Sequence, residues 1–208
     1  MVFESRTSAG RLLGAELVKR KYANPHIFAL VRGGVPIGKE VAKKMKAPLD
    51  VVVVRKLGLP SFPELGFGAI APDGTTEIDN TIVNRYMLHI DDIKSVKKSE
   101  KEELERRTQM YDAKMPENLA GQTVILVDDG IATGISMIAA IKYLKKFNPD
   151  KIVVGIPVCP DTSESQFRGL VDDYVCLDYE EYFGAVGEFY EQFPQVTDEE
   201  VISMLKTK

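Results

Sequence analysis

Short apolar runs recur along the chain, and segments with helical spacing separate them. Five runs are mainly apolar, and the β-branched runs 49–54 and 124–127 are typical of strands buried on both faces. The five runs cover residues 27–31, 49–54, 124–127, 152–158 and 174–177. A strand, a helix and a second strand in series form a right-handed parallel crossover. The alternation therefore predicts an α/β fold with an open, mainly parallel, doubly wound sheet of five strands.

Helical spacing of apolar residues predicts the helices around this sheet. Ser8 is expected to cap the first helix, in which Ala9, Leu12, Leu13 and Leu17 share one face. Further helices are predicted over residues 35–45, 92–112 and 162–170, after Gly134, and from Asp198 onward. The helix over residues 92–112 is strongly charged, which is typical of a solvated helix.

Prolines and glycines interrupt the pattern between residues 57 and 90. The turn Pro72-Asp73-Gly74 is flanked by residues 67–71 and 75–78. Proline and glycine at such positions favour a tight turn between paired strands. We expect this segment to form a hairpin that leaves the main sheet.

Length and composition limit the classes of protein to consider. A chain of 208 residues is consistent with one α/β domain over residues 1–208. Its net charge of -4 argues against extended nucleic-acid binding, which needs clustered cations. No apolar run approaches the ~20 residues of a membrane span, and no basic-then-apolar leader is visible, so we expect a cytoplasmic protein. The two cysteines, Cys159 and Cys176, are predicted to be buried free thiols.

The most informative segment is residues 123–136. Asp128 and Asp129 follow the predicted strand 124–127, and Thr133, Gly134 and Ser136 then open a helix. Ligands of open α/β sheets bind at the carboxyl ends of strands, and the start of a helix favours a phosphate. Either half alone is compatible with a simple helix cap or a solvated loop. Together, the two carboxylates and the phosphate-sized turn predict a site for a sugar phosphate.

Two other groups of residues follow predicted strands. Arg32-Gly33-Gly34 comes after residues 27–31, and Arg55-Lys56 ends residues 49–54. A glycine pair is commonly only a turn, and an arginine-lysine pair commonly only a solvated surface feature. Their position at the ligand edge of the sheet favours contact with an anion.

Residues 123–136 resemble the phosphoribosyl diphosphate (PRPP) signature of type I phosphoribosyltransferases, although the family usually has an apolar residue or serine in place of Gly130. Further similarity lies in Arg-Gly-Gly-Val-Pro-Ile-Gly (32–38), Val-Val-Val-Val-Arg-Lys-Leu-Gly (51–58) and residues 190–201. Together these stretches resemble a bacterial and archaeal group of phosphoribosyltransferases without an assigned acceptor. The resemblance covers nearly the whole chain.

The resemblance implies a role for each matching residue. Asp128 and Asp129 would receive the ribose hydroxyls, directly or through a divalent metal, for which Mg²⁺ suits the oxygen ligands best. Ala132, Thr133, Gly134, Ile135 and Ser136 would wrap the 5-phosphate. Arg32 and Gly33 would hold pyrophosphate. In the family the peptide before this glycine is often strained, and the sequence does not show whether the Arg32–Gly33 peptide is cis. Arg55 and Lys56 would receive the leaving diphosphate.

The resemblance also implies mobile and covering segments. Residues 57–90 would form a flexible arm, and residues 178–208 a C-terminal hood and tail, with aromatic residues either in a small core or stacked on a base. Arg106 and Arg107 could reach the diphosphate, but ion pairs with Glu102 and Glu103 are the favoured interpretation.

The predicted activity is a Mg²⁺-dependent glycosyltransferase reaction, in which 5-phosphoribosyl moves from PRPP to a nitrogen acceptor and pyrophosphate is released. A nucleobase is the expected acceptor. Ala132 stands where 6-oxopurine enzymes of the family carry an aspartate, which disfavours hypoxanthine and guanine. The alternative is a non-catalytic regulator that senses PRPP or a nucleotide on the same fold. A homodimer is compatible with the sequence, and neither nucleic acid nor membrane is expected as a partner.

Overall fold

The computed structural model describes residues 1–206 and contains a five-stranded and a three-stranded sheet. The strands are β1 (Pro25–Leu30), β2 (Leu49–Val52), β3 (Arg55–Leu59), β4 (Phe62–Ile70), β5 (Thr76–Ile78), β6 (Thr123–Val127), β7 (Lys151–Pro160) and β8 (Asp173–Glu180). The helices are α1 (Arg6–Lys19), α2 (Gly34–Met45), α3 (Asn80–Arg85), α4 (Ile90–Met110), α5 (Ile135–Lys145), α6 (Ser163–Phe167) and α7 (Asp198–Lys206).

The five-stranded sheet has the order β2-β1-β6-β7-β8, and all of its neighbouring strands are parallel. This confirms the predicted α/β fold with a mainly parallel sheet. Side chains alternate between the two faces of each strand, and both faces are covered. On β1, Ile27 and Ala29 face the core on the side of α1 and α2, whereas Phe28 and Leu30 belong to the core that includes α5. Two separate cores therefore hold the sheet rigid.

The first helix begins earlier than its predicted cap. Ser5, not Ser8, is the capping residue, and Ser8 completes the cap from the first turn. The Ser5 hydroxyl accepts from the Ser8 amide at 3.3 Å, and the Ser8 hydroxyl accepts from the Ser5 amide at 3.0 Å. Either serine suits a cap, so the sequence alone did not separate them. Of the four predicted core positions, Leu12 is half exposed while the other three are fully buried.

The three-stranded antiparallel sheet combines a predicted hairpin with a strand that was not predicted. The hairpin of β4 and β5 surrounds the turn at Gly74, as expected. The strand predicted over residues 49–54 was too long, because β2 ends at Val52 and Arg55 already begins β3. Val53 stays fully buried as the chain passes between the two sheets, so the apolar run gave no sign of the break.

Charged side chains connect the three-stranded sheet to the helices around it. Lys146, the C-cap residue of α5, donates to Asp73 at 2.6 Å, and Lys142 of α5 donates to Glu77. Arg55 donates to Glu100 of α4 at 2.7 Å. These contacts join this sheet to both flanking helices.

The remaining helices differ from the predictions mainly in their ends. α6 has five residues and ends before Gly169, which has a positive φ of 76°. α4 has the predicted length but lies two residues closer to the N-terminus, and α7 begins at Asp198 as expected. The short helix α3 was not predicted. Across residues 1–206, no helix combines the length and apolar character that crossing a bilayer requires.

Candidate functional site

The predicted acidic pair, Asp128 and Asp129, lies where the sheet changes direction. β1 and β6 are neighbours, while the strands that follow them in the chain extend toward opposite edges. Such a point opens a crevice at the carboxyl ends of the two strands. Arg32 and Gly33 follow β1, and the acidic pair follows β6. The sheet therefore brings these two predicted groups together.

Two glycines let the loop after β1 rest on the acidic pair. A β-carbon on Gly33 would lie 2.1 Å from Asp129 Oδ2, and one on Gly34 would lie 2.8 Å from the Val127 carbonyl oxygen. Neither distance leaves room for a side chain. The loop contains a cis peptide bond between Val31 and Arg32, one residue before the Arg32–Gly33 position considered from the sequence.

Asp129 is fixed by contacts from both ends of the described chain. Arg6 Nε donates to its Oδ2 at 2.7 Å, and Tyr190 Oη donates to its backbone oxygen at 2.6 Å. Its own amide donates to Asp128 Oδ1 at 2.9 Å. The Arg6 and Asp129 side chains are only 10% and 14% exposed, so solvent screens this ion pair weakly.

Burial makes the two carboxylates reluctant to carry charge. It raises the pKa of Asp128 well above its usual range, and the neighbouring Asp129 charge raises it further. Burial also raises the pKa of Asp129, although Arg6 opposes that shift. A cation or hydroxyl donors brought to Asp128 would stabilise its ionised form.

Arg6 is a site residue that sequence reasoning missed. Besides Asp129, its guanidinium donates to the Pro194 carbonyl oxygen at 2.7 Å and lies 3.6 Å from the centre of the Phe193 ring. A cation in the first turn of a helix is opposed by the helix dipole, which is the one signal the sequence offered. This arginine joins α1, the acidic pair and the C-terminal segment.

The loop at residues 132–136, called the phosphate loop below, lies on one side of the acidic pair. Gly134 has a φ of 74°, and a β-carbon there would meet Gln166 Oε1 at 3.0 Å and Phe167 Cζ at 3.1 Å. α5 begins at the next residue, so its first amides have no partner within the helix. The loop borders a cavity of about 170 Å³, which also touches Lys56, Asp128 and Val186.

A larger cavity of about 500 Å³ lies on the other side of the acidic pair. Its walls include both carboxylates, the loop after β1 and the C-terminal segment. The lining residues are Arg6, Val31, Arg32, Gly33, Asp128, Asp129, Phe193, Gln195 and Val196. Because Asp128 borders both cavities, one ligand could contact the acidic pair and extend in both directions.

Gly130, the visible departure from the family pattern, has a packing role. A β-carbon at this position would lie 2.7 Å from Val186 Cγ1 and 3.1 Å from Val158 Cγ1. Val186 belongs to a short 3-10 helix, Val186–Phe189, in the C-terminal segment. The glycine therefore lets that segment approach the loop after β6.

The structure separates the cations that were predicted as pairs. Lys56 borders the smaller cavity, whereas Arg55 is engaged by Glu100 and borders neither cavity. Arg32 faces Asp198 of α7 at 3.5 Å. Arg106 and Arg107 both pair with Glu103 rather than Glu102, and these hydrogen bonds lower the pKa of Glu103 to about 2.

The C-terminal aromatic residues form a small packed group beside the larger cavity. Phe183 and Phe189 stack with ring centres 5.0 Å apart, and Tyr190 contacts Phe193 at 5.1 Å. Tyr182 is 85% exposed and makes no ring contact within residues 1–206. Most of the predicted aromatic cluster thus serves as a satellite core.

Replacing Tyr190 with phenylalanine should lower the free energy of unfolding by about 1–3 kcal/mol, because the Asp129 carbonyl would lose a buried donor. Phenylalanine keeps the ring contacts with Phe3 and Phe193. Urea denaturation of both proteins measures the difference. Tyr182→Phe, which removes an exposed hydroxyl, is the control and should change nothing measurable. Equal stability of Tyr190→Phe and the parent chain would show that this hydrogen bond is not formed.

The acidic pair could hold a divalent cation only together with oxygen atoms of a ligand. In residues 1–206, no group of three or more His, Cys, Asp or Glu side chains is placed to bind a metal. Mg²⁺ commonly takes one or two carboxylates and completes its shell with water and phosphate oxygens. The donor set present here fits that pattern.

The chain is similar to known proteins over most of its length. Residues 8–193 match the family described as "Phosphoribosyl transferase domain". Two curated relatives, from the CDC 1551 and H37Rv strains of Mycobacterium tuberculosis, carry the name "Putative phosphoribosyl transferase" and are 39% identical over 207 residues. The match covers 98% of this chain and 46% of each relative, so the chain spans about half the length of the curated relatives it matches.

Solved structures show the same fold. The crystal structure of TT1426 from Thermus thermophilus is 34% identical, with a TM-score of 0.80 over 99% of this chain and 98% of that one. The AQ2163 protein from Aquifex aeolicus has a TM-score of 0.54 at 12% identity, over 88% and 78% of the two chains. The second likeness concerns the fold alone.

Proposed function

The chain belongs to the phosphoribosyl transferase domain family, and from this premise we propose that it transfers 5-phosphoribosyl from PRPP to a nitrogen acceptor and releases pyrophosphate. The observation that carries the proposal is the acidic pair between two cavities, one bordered by the phosphate loop and the other by Arg32 and Gly33. PRPP has phosphate groups at two ends of a ribose. One cavity could take the 5-phosphate and the other the diphosphate, with the ribose at the acidic pair between them.

In the proposed complex, the 5-phosphate lies against the free amides at the start of α5, with Thr133 and Ser136 as hydroxyl donors. The ribose hydroxyls face Asp128 and Asp129. The diphosphate lies in the larger cavity, where the backbone of Gly33 and the Arg32 guanidinium border the space. Asp129 is already fixed by Arg6 and Tyr190, so little reorganisation is needed on binding.

Catalysis then depends on position and charge. As the bond from C1 to the diphosphate breaks, positive charge develops on the ribose and negative charge on the leaving group. The buried acidic pair stabilises the first charge, and Arg32 with the loop amides stabilises the second. Mg²⁺, when held by Asp128 or Asp129 and by substrate oxygens, would neutralise part of the diphosphate charge. No covalent nucleophile is needed.

Lys56→Met should weaken PRPP binding about tenfold, because Lys56 is the cation that borders the phosphate-loop cavity. Arg55→Met is the matched control, since Arg55 contacts Glu100 instead. Isothermal titration of PRPP with Mg²⁺ measures both affinities. If the Arg55 variant loses more affinity than the Lys56 variant, the arm must rearrange on binding and the assignment of Lys56 is wrong.

The acceptor is proposed to be a nucleobase other than hypoxanthine or guanine. Ala132 lacks the carboxylate that the family places there in 6-oxopurine enzymes. The test is a pyrophosphate-release screen over adenine, guanine, hypoxanthine, xanthine, uracil, orotate and nicotinate, with and without EDTA. Release with one base, abolished by EDTA, is the expected result. PRPP affinity without release across the panel would favour a sensor of PRPP, and absence of PRPP affinity would refute the proposal.

Other features stay predictions. They are the closure of residues 57–90 as an arm, the hood over residues 178–206, homodimer formation and a cytoplasmic location. The last two residues of the predicted tail, 207 and 208, lie outside the described part of the chain. None of these features is required for the proposed contacts with PRPP.

A further inference from the structure

The two cysteines lie side by side on neighbouring strands. Cys159 is on β7 and Cys176 on β8, and both side chains face the core that includes α5. Their sulfur atoms are 3.0 Å apart, although both thiols are free. A disulfide needs a separation of about 2.05 Å, so the sulfur atoms must approach by about 1 Å. The strand ends must adjust as well, because Cys159 lies opposite Tyr179 and Cys176 opposite Ile156 in the strand register.

The surroundings of the two thiols differ in a way that suits stepwise oxidation. Cys159 is fully buried, whereas Cys176 is partly exposed and can meet a small reagent first. Cys176 is also held by the Asp178 carbonyl oxygen at 3.1 Å. The hydrogen bond between the sulfurs lowers the pKa of Cys159 and raises the pKa of Cys176, so Cys159 is the readier thiolate. Cys159 can therefore accept the proton that Cys176 gives up when the more accessible Cys176 attacks a reagent.

We propose that Cys159 and Cys176 are a reversible dithiol–disulfide site, oxidised by small organic disulfides and reduced by dithiols. Cys176 attacks the reagent and forms a mixed disulfide, and one reagent thiol leaves. Cys159 then attacks the Cys176 sulfur, which forms the internal bond and releases the second reagent thiol. The protein loses two protons and two electrons, and the reagent disulfide gains both to become two thiols.

This site contacts the phosphate loop through a short chain of side chains. The hydroxyls of Tyr174 and Ser163, which are 3.1 Å apart, help to lower the pKa of Cys159. The Tyr174 ring stacks on Phe167 at 5.2 Å, and Phe167 packs directly behind Gly134. Formation of the disulfide would move the strand ends against which these rings pack.

The test starts with fully reduced protein equilibrated in mixtures of reduced and oxidised glutathione, then alkylated and analysed by intact mass and peptide mapping. The expected product is ~2 Da lighter than the dithiol, carries a peptide crosslink between residues 159 and 176, and reverts with dithiothreitol. Two alkylated thiols at every glutathione ratio, or crosslinks only between separate chains, would overturn the proposal.

Single variants identify the order of the two steps. Cys159→Ala should stop at a stable glutathione adduct on Cys176, because the resolving thiol is missing. Cys176→Ala should stay unmodified, because Cys159 is buried. Equal labelling of both variants contradicts the proposed entry at Cys176. Circular dichroism spectra that match the parent chain establish that the variants are folded.

The effect on the phosphate loop rests on the proposed function. We expect oxidised protein to bind PRPP about twofold or more weakly than reduced protein, in the range of coupling carried by packed side chains. Calorimetry on both forms measures it. Equal affinities refute the coupling and leave the disulfide site intact. Absence of PRPP binding by the reduced protein refutes the proposed function, and with it the coupling, whatever the mass measurement shows.

Discussion

Asp129→Asn is expected to lower PRPP turnover about 100-fold or more, by analogy with the loss of other well-placed electrostatic contacts in active sites. Asparagine keeps the size of the side chain and removes its charge. The ribose would lose a charged acceptor, and the developing positive charge on C1 would lose part of its stabilisation. In calorimetry without an acceptor, Mg²⁺ should no longer increase the affinity of this variant for PRPP.

Stability must be separated from this loss, because Asp129 also neutralises Arg6. Breaking a buried ion pair by removing one partner typically costs about 3–5 kcal/mol. Here the cost should be smaller, about 1–3 kcal/mol, because the variant also removes repulsion between Asp129 and Asp128. The double variant Arg6→Met with Asp129→Asn should recover stability without recovering turnover.

Asp50→Asn is the matched control for the charge change, since Asp50 is exposed on β2 and its carboxylate pairs with His26. It should retain turnover within a factor of about two. Near-normal turnover of folded Asp129→Asn would remove the assignment of the acidic pair. A loss restored in the double variant would instead identify misfolding as the cause.

Gly33→Ala is expected to weaken PRPP binding about 100-fold, since displacement of a site group by about 1 Å can have an effect of this size. The backbone at Gly33 has a φ of -58°, which alanine adopts readily, so no strain arises from the dihedral angles. The effect is purely steric: the methyl group would lie 2.1 Å from Asp129 Oδ2. Either the carboxylate or the loop must move.

The measurement combines PRPP calorimetry with thermal unfolding, because overpacking also destabilises by about 1–3 kcal/mol. Gly74→Ala is a control in which alanine causes backbone strain but no steric overlap. Gly74 has a φ of 85° and open space around it, so alanine there strains the turn far from the acidic pair. We expect that control to lose stability and keep PRPP affinity. Unchanged affinity in Gly33→Ala would show that the loop moves aside freely.

The sequence predicted the features that depend on neighbouring residues. Residues 124–127 identified a strand buried on both faces, and the acids after it fell at the edge where the structure places the crevice. The strand β3 was missed because Val53 and Val54 continue the apolar run of β2 up to the first residue of β3. Local periodicity reports burial, but it does not report the partner strand.

The contacts that fix the acidic pair could not be read from local pattern. Arg6 is 123 positions from Asp129, and Tyr190 is 61 positions away. Each looks like an ordinary helix or aromatic residue in the sequence. The close approach of Gly33 to Asp129 likewise depends on the adjacency of β1 and β6, which local pattern does not show. Arg55 and Lys56 lie in different surroundings because β3 directs successive side chains to opposite faces.

The charged side chains that join the three-stranded sheet to α4 and α5 make ionic strength an experimental variable. Glu77, Asp73 and Glu100 lie at or near the surface, and added electrolyte screens such contacts over a Debye length of about 10 Å at 0.1 M. The three-stranded sheet would then be held more tightly in dilute buffer than at cellular salt, and kinetic constants measured under the two conditions would differ. Assays across a potassium chloride series would reveal how far its attachment limits the rate.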